Sequence, residues 1–200
     1  MKNEDRRKHT TAQLLGATKE LLQEKACHAI TLKEIMERSG LSKGAIFHYV
    51  RSKDEIFIWV LMEHLETVHS AVLSTIAKAD IKTFEGPMQI IAANLVGLEE
   101  QGSMTNKVLL YLLGKEDEPQ VSEALQQFHD RSVNYSMQWI ELGIKHGVID
   151  SSINAEQMGE LFVLLSMGLR VRTSMHTSGR SHLNSADIAN FMSTMLKQQD

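Results

Sequence analysis

Apolar residues recur along this chain at helical spacing almost from end to end. Leu14, Leu15, Ala17, Thr18, Leu21 and Leu22 share one face and predict a helix from about Arg7 to Lys25. Leu32, Ile35 and Met36 predict a second, short helix. Thr31 is its N-cap, Glu34 stands at capping-box spacing, and Ser39-Gly40 closes it. Ser42 can cap a third helix, with Ile46 and Val50 turned inward and Lys43, His48 and Tyr49 turned elsewhere. A long helix follows from about Lys53 to Lys78, capped by Ser52, with Asp54 and Glu55 where the helix dipole favours negative charge. The segment from Ala79 to Gly86 is a break. Helices are expected from about Pro87 to Glu100, ended by Gly102-Ser103, and from Asn106 to Gly114. Beyond a charged loop at Lys115 to Pro119, Pro119–His146 is helical and Gly147 ends it. Asn154 caps Ala155 to about Met175, Thr177 to Ser181 is loop-like, and the last helix spans about Ser185 to Leu196. The sum is an all-α chain of about nine helices. Its two prolines and scarce β-branched runs agree with that class.

The segment Thr31 to Tyr49 carries the most information. Two short helices about a glycine turn make a helix-turn-helix, whose second helix suits a DNA major groove. A core hairpin shows the same pattern more often, but the second helix here is too short and polar to bury much. Residues from about Arg7 to Glu55 resemble the DNA-binding domain of the TetR family of bacterial transcriptional regulators. The resemblance runs through Leu14-Leu15, Ala17, Leu21-Leu22, Glu24, Thr31, Ile35, Ser39 to Gly44, Phe47-His48-Tyr49 and Lys53 to Ile56. Ala26 stands where the family usually has glycine, so that turn is expected to be wider or slightly strained. Phe47 stands where tyrosine is usual and Val50 where an aromatic is usual, while Arg51 replaces a common proline.

The resemblance implies a DNA-binding head at residues 1-52 and a helical body at 53-200 that binds an effector and dimerises. The DNA-binding set would be Thr31, Ser42, Lys43, Gly44, Ala45, Phe47, His48, Tyr49 and Lys53. Lys43 can reach a phosphate or a guanine edge, Gly44 allows close backbone approach, and Ala45 can meet a thymine methyl. Thr31 and Lys53 would hold phosphates on either flank, and Arg6, Arg7 and Lys8 would form a basic arm.

In the body, the family binds a small molecule between helices and pairs its last two helices with a partner subunit. One stripe of Met158, Leu161, Phe162, Leu165 and Leu169, and another of Ile188, Phe191, Met192 and Met195, are the candidates for that homodimer interface. The same stripes would serve equally as monomer core. For a hydrophobic effector the candidates are Met88, Met104, Leu109 and Tyr111, with Phe128, Tyr135, Trp139 and Met167. Asn94, Asn134, Gln138 and His129 are candidate polar lining, and Arg170 and Arg172 stand beside an apolar helix end, open to an anion or to solvent.

Charge sharpens this division. Residues 1 to 55 hold eleven basic and eight acidic residues, a balance of +3, against −7 for the remainder. A basic head on an acidic body fits a nucleic-acid-binding module joined to another. A single cysteine, Cys27, leaves no disulfide framework and fits a reducing cytoplasm. The longest apolar run, Leu161 to Leu169, is too short for a bilayer, and the N-terminus is not signal-like. His64 and His69 are five apart, on different helix faces, and no nucleophile elbow or phosphate loop occurs, so neither metal, cofactor nor enzymatic activity is expected. The reading is a homodimeric repressor released from a partly palindromic double-stranded operator by a small molecule. The alternative is a helical ligand- or partner-binding dimer that has lost specific DNA binding, and an activator would share the same residues.

Overall fold

A computed structural model describes residues 2–78, 83–175 and 183–197, with side chains from residue 5 onward. Nine α-helices occur among the described residues: α1 (Lys2–Glu24), α2 (Leu32–Ser39), α3 (Lys43–Phe47), α4 (Lys53–Lys78), α5 (Glu85–Glu99), α6 (Met104–Leu113), α7 (Pro119–Lys145), α8 (Ala155–Ser174) and α9 (Ser185–Leu196). A single 3-10 turn, Cys27–Ala29, joins α1 to α2. The expected loop at Thr177 to Ser181 lies outside the described residues.

Local chemistry explains most boundaries. Gly40, Gly102 and Gly147 adopt positive φ of 69°, 84° and 70°, the left-handed conformation that ends a helix without steric cost in glycine. Thr31 and Glu34 form the expected capping box, and Asn184 with Asp187 forms a second one ahead of α9. Two expectations change. Helix α1 begins at Lys2 and not at about Arg7, so the basic arm of Arg6, Arg7 and Lys8 lies within it. Ala26 sits at φ −74°, ψ 150°, extended backbone open to any residue, so the missing glycine brings no strain.

The chain divides into two compact units, Met1–Glu63 with Met104–Leu125, and His64–Ser103 with Gln126–Asp200. Helices α4 and α7 contribute residues to both. The first unit buries Leu14, Leu22, Ile30, Ile35, Ile46 and Phe57 completely. Helix α6 belongs here, with Val108, Leu109 and Leu112 buried and its contacts made to α1 and the 3-10 turn. In the second unit α5 packs on α8 and α9 around Leu95, Leu98, Phe162, Leu169, Ile188 and Met192. Gly159 marks a close approach there: a Cβ would stand 3.1 Å from the Met137 nitrogen and 3.3 Å from the Val133 oxygen of α7.

By length and hydropathy α4 could cross a membrane, its best window averaging 1.3. Its Ile56, Phe57, Val60, Leu61 and Val72 are buried in protein, and 28% of that window is buried in all.

Acid stability offers a check on the capping box. The Lys25 ammonium, then the Thr31 backbone and hydroxyl, hold the Glu34 carboxyl down at about 2 against an ordinary 4.5. A depressed carboxyl stabilises the fold above its unfolded value and loses that contribution as pH falls through the folded one. Glu34→Gln should therefore be less stable than the wild type near neutrality, with the difference closing between about pH 4.5 and 2 in urea melts. A difference that persists undiminished at pH 2 would contradict this origin.

Candidate DNA-binding surface and internal cavity

The helix expected to read DNA, α3, is short. Ser42 caps α3 by accepting the Ala45 N–H at 3.3 Å, and the helix ends at Phe47, with the Tyr49 and Val50 amides returning to the Ile46 carbonyl. Ile46 and Val50 are buried at 0% and 1% exposure, so they fix which side faces out. Ser42, Lys43, Gly44, Phe47 and His48 are exposed, while Ala45 and Tyr49 are half-buried. The Lys43 ammonium lies 5.6 Å from the Phe47 ring centre, and His48 meets Tyr49 edge-on at 5.0 Å. Phe47, 48% exposed, is an unusually apolar element for such a surface.

Beneath it, charges tie the helices together. Arg38 of α2 grips Glu24 of α1 at 2.8 and 3.0 Å and reaches Glu20 at 3.3 Å. Lys25 pairs with Glu34. Thr31 is exposed, but its hydroxyl is engaged with Glu34 as donor and acceptor at 3.0 and 3.2 Å.

Lys53 departs most from expectation. Its ammonium donates to the carbonyls of Cys27, His28 and Ile30 at 2.9, 3.3 and 2.6 Å. All three hydrogens close the turn between α1 and α2, leaving none for a phosphate. Burial lowers its pKa, with neighbouring Asp54 acting the other way. Asp54, 6% exposed, accepts from Tyr111 Oη at 3.0 Å and Lys115 Nζ at 2.6 Å, which ties the start of α4 to α6 and the segment after it. Sequence reasoning missed this network because its partners lie some sixty positions apart.

The second unit holds a partly open cavity of about 200 Å³. Met88, Phe128, Trp139 and Met167 line it, as expected from the sequence. Met104, Leu109 and Tyr111 do not: they sit on α6 in the first unit. Tyr135 is also absent from the wall, its ring stacked on His69 at 3.6 Å and its hydroxyl donating to Glu66 at 2.7 Å. Of the polar candidates Asn94 lines the cavity, accepting from His64 Nε2 at 3.0 Å, whereas Asn134 and Gln138 are exposed. Arg170, expected at a helix end, is buried in the wall, and Arg172 instead pairs with Glu99 at 2.5 Å.

The expected interface stripes also turn inward. Phe162, Leu169, Ile188 and Met192 are buried in this unit's core, and Met158, Leu161, Leu165 and Met195 pack against it. Phe191 alone of the nine is exposed. Helix periodicity identified a shared face, and that face meets the monomer's own α5. The outward apolar residues of α8 are Leu164 and Val171, with Met175 exposed at its C-cap.

Two lysines separate holding from reading. Lys53→Met should cost about 1.5–3 kcal/mol in chemical denaturation, since several carbonyls lose a charged donor. Lys43→Met, at an exposed site, should leave stability within about 0.5 kcal/mol of the wild type.

Comparison with known proteins places this geometry. Residues 14–60 match the family model described as bacterial regulatory proteins, tetR family. The HTH-type transcriptional activator FasR of Mycolicibacterium smegmatis is 35% identical over 60 residues, 30% of this chain and 27% of that protein. The match thus spans about a quarter of that relative's length. Among solved structures, Escherichia coli NemR in its reduced form aligns with a TM-score of 0.70 at 15% identity, over 96% of this chain and 100% of that one. A TetR transcription regulator from Haloarcula marismortui aligns at 0.69 and 18% identity, with the same coverage. At such identities the likeness is one of fold.

Proposed function

We propose that this chain is a regulator of the tetR family, whose model matches residues 14–60, and that it is a homodimeric, sequence-specific repressor that a small apolar effector releases from a partly palindromic operator. The observation that carries the reading is the division of α3. Ile46 and Val50 anchor it completely while Lys43, Gly44, Phe47 and His48 stand exposed. A helix held by one face and offered by the other is what groove reading requires.

Residues 1-52 supply the contacts. Lys43 takes a guanine edge or phosphate, Arg51 a phosphate, and Ala45 and Phe47 offer apolar surface to thymine methyls. Ser42, Gly44, His48 and Tyr49 complete the surface, and Thr31 marks its flank. Lys53 serves by holding the turn before α2 rather than by touching DNA. Such a regulator works beside the chromosome, in the cytoplasm.

Residues 53-200 supply the rest. Dimerisation through α8 and α9 is supported by Leu164, Gly168, Val171 and Met175, whose spacing of four, three and four is that of a helix–helix seam. Gly168 has open space around its Cβ position, and Phe191 adds apolar surface on α9 at 52% exposure. Effector action follows from linkage: a ligand that binds the cavity better in a state with weak operator affinity weakens DNA binding by that difference. Activation is the second reading, since the M. smegmatis relative is named an activator. A reporter behind the selected operator separates the two, repression falling on deletion of the chain and activation being lost.

Selection from random duplex DNA tests the core of this reading. The wild type should enrich a palindromic motif and Lys43→Ala should bind it at least about tenfold more weakly. No enrichment at low salt would leave only a ligand- or partner-binding dimer. For the seam, Leu164→Glu with Phe191→Glu should yield a folded monomer in sedimentation that no longer holds the full palindrome; a dimer of unchanged affinity would place the interface elsewhere.

A further inference from the structure

We propose that the effector is an uncharged aromatic carbonyl compound, an aryl ketone, ester or amide. Its ring sits in the cavity of the second unit and its carbonyl oxygen accepts from the Asn94 side-chain amide. This rests on the effector reading above and adds the chemical class.

The wall favours a ring. Phe84, Phe128, Trp139 and Phe162 line the cavity, and Met88, Met167 and Met192 lie in the same wall. Aromatic rings gain energy beyond burial from offset-stacked or edge-on partners, and thioethers pack well against ring edges. The volume of about 200 Å³ suits a single substituted ring, since roughly 150 Å³ of apolar cavity is enough to take up benzene. The wall also disfavours charge. Its described residues include no Asp, Glu or Lys, and its lone arginine, Arg170, already has an interaction within the fold. An ionic ligand would exchange water for mostly apolar surroundings, which is costly, and an anion would compete with the contact Arg170 already makes.

One polar group is placed to meet a neutral acceptor. His64 Nε2 donates to Asn94 Oδ1 at 3.0 Å, joining α4 to α5 and fixing the plane of the carboxamide. Both hydrogens on the Asn94 amide nitrogen remain without a partner among the described residues. Most other donors of the wall are spent within the fold. The hydroxyls of Thr75, Ser132 and Ser166 donate to the Ala71, Phe128 and Phe162 carbonyls at 2.9, 2.7 and 2.9 Å. The Trp139 indole donates to His69 at 3.0 Å. Thr83 and His146 are exposed. Ser136 is half-buried in the wall, but its hydroxyl rotates, whereas Asn94 is held. An N–H donor fixed in this way rewards a carbonyl lone pair and offers nothing to a hydrocarbon or a cation.

Four probes of similar size, acetophenone, ethylbenzene, benzoate and 1-phenylethylamine, would be titrated at pH 7.5 into the whole chain by calorimetry. Acetophenone should bind at least about fivefold more tightly than ethylbenzene, the worth of one hydrogen bond. Benzoate, which has nearly the shape of acetophenone, and the amine should be weaker still. Asn94→Asp keeps an oxygen for His64 and removes both donors. The advantage of the ketone over the hydrocarbon should vanish there and persist in Ser136→Ala, with circular dichroism confirming both folds. If ethylbenzene or benzoate equals acetophenone on the wild type, the carbonyl class is overturned while the cavity still binds small molecules. If the ketone keeps its advantage in Asn94→Asp, or loses it in Ser136→Ala, the role of Asn94 is overturned. If none of the four binds, the effector reading falls and takes this proposal with it. The wild-type comparison decides the class even if a variant fails to fold.

Discussion

Everything the head does depends on holding a recognition helix of five residues, Lys43–Phe47, that is far too short to persist by itself in water. Its stability is borrowed from below, through Ile46 and Val50, which are lost to solvent altogether. The helices beneath are fixed by charge pairs that span α1 and α2, and by the Lys53 ammonium closing the turn that joins them. This arrangement frees the outer face from structural duty. Lys43, Gly44, Phe47 and His48 are exposed, so under the proposed function their identities can answer to DNA instead.

The substitution of Phe47 for the more usual tyrosine fits the same logic. A phenolic hydroxyl would offer a phosphate a hydrogen bond, whereas a bare ring under the Lys43 ammonium offers apolar surface and a steadied cation. Under the proposed function, recognition there leans on methyl and sugar contacts, and phosphate neutralisation passes to Lys43 and Arg51.

In the second unit the same economy of charge has a different outcome. Acidic groups near the core are matched locally, as Glu99 is by Arg172 and Ser185, and burial alone would otherwise raise its pKa. Hydrogen bonds overcome that and hold it low. Arg170 is buried in the cavity wall, the one Lys or Arg among its described residues. Apolar surface is likewise divided: one face of α8 makes the core with α5 and α9, and the opposite one, through Leu164 and Val171, remains outside.

What could be read from sequence was what arises within a few residues along the chain. Capping by Thr31, Ser42 and Asn154, closure by Gly40, Gly102 and Gly147, and the 3.6-residue recurrence of Leu, Ile and Met all act over one helical turn, so they set the helices and most of their ends. The helix-turn-helix was legible for the same reason. Only tertiary structure decided what each face meets. Periodicity grouped Phe162 with Leu169 but is silent on whether that stripe faces α5 or another subunit. It placed Tyr111 on an apolar helix without assigning α6 to the first unit, and Arg170 at a helix end without burying it. Lys53 read as a surface cation until three carbonyls more than twenty residues away claimed it. Contacts between distant segments depend on how helices pack together, and no local pattern encodes that choice.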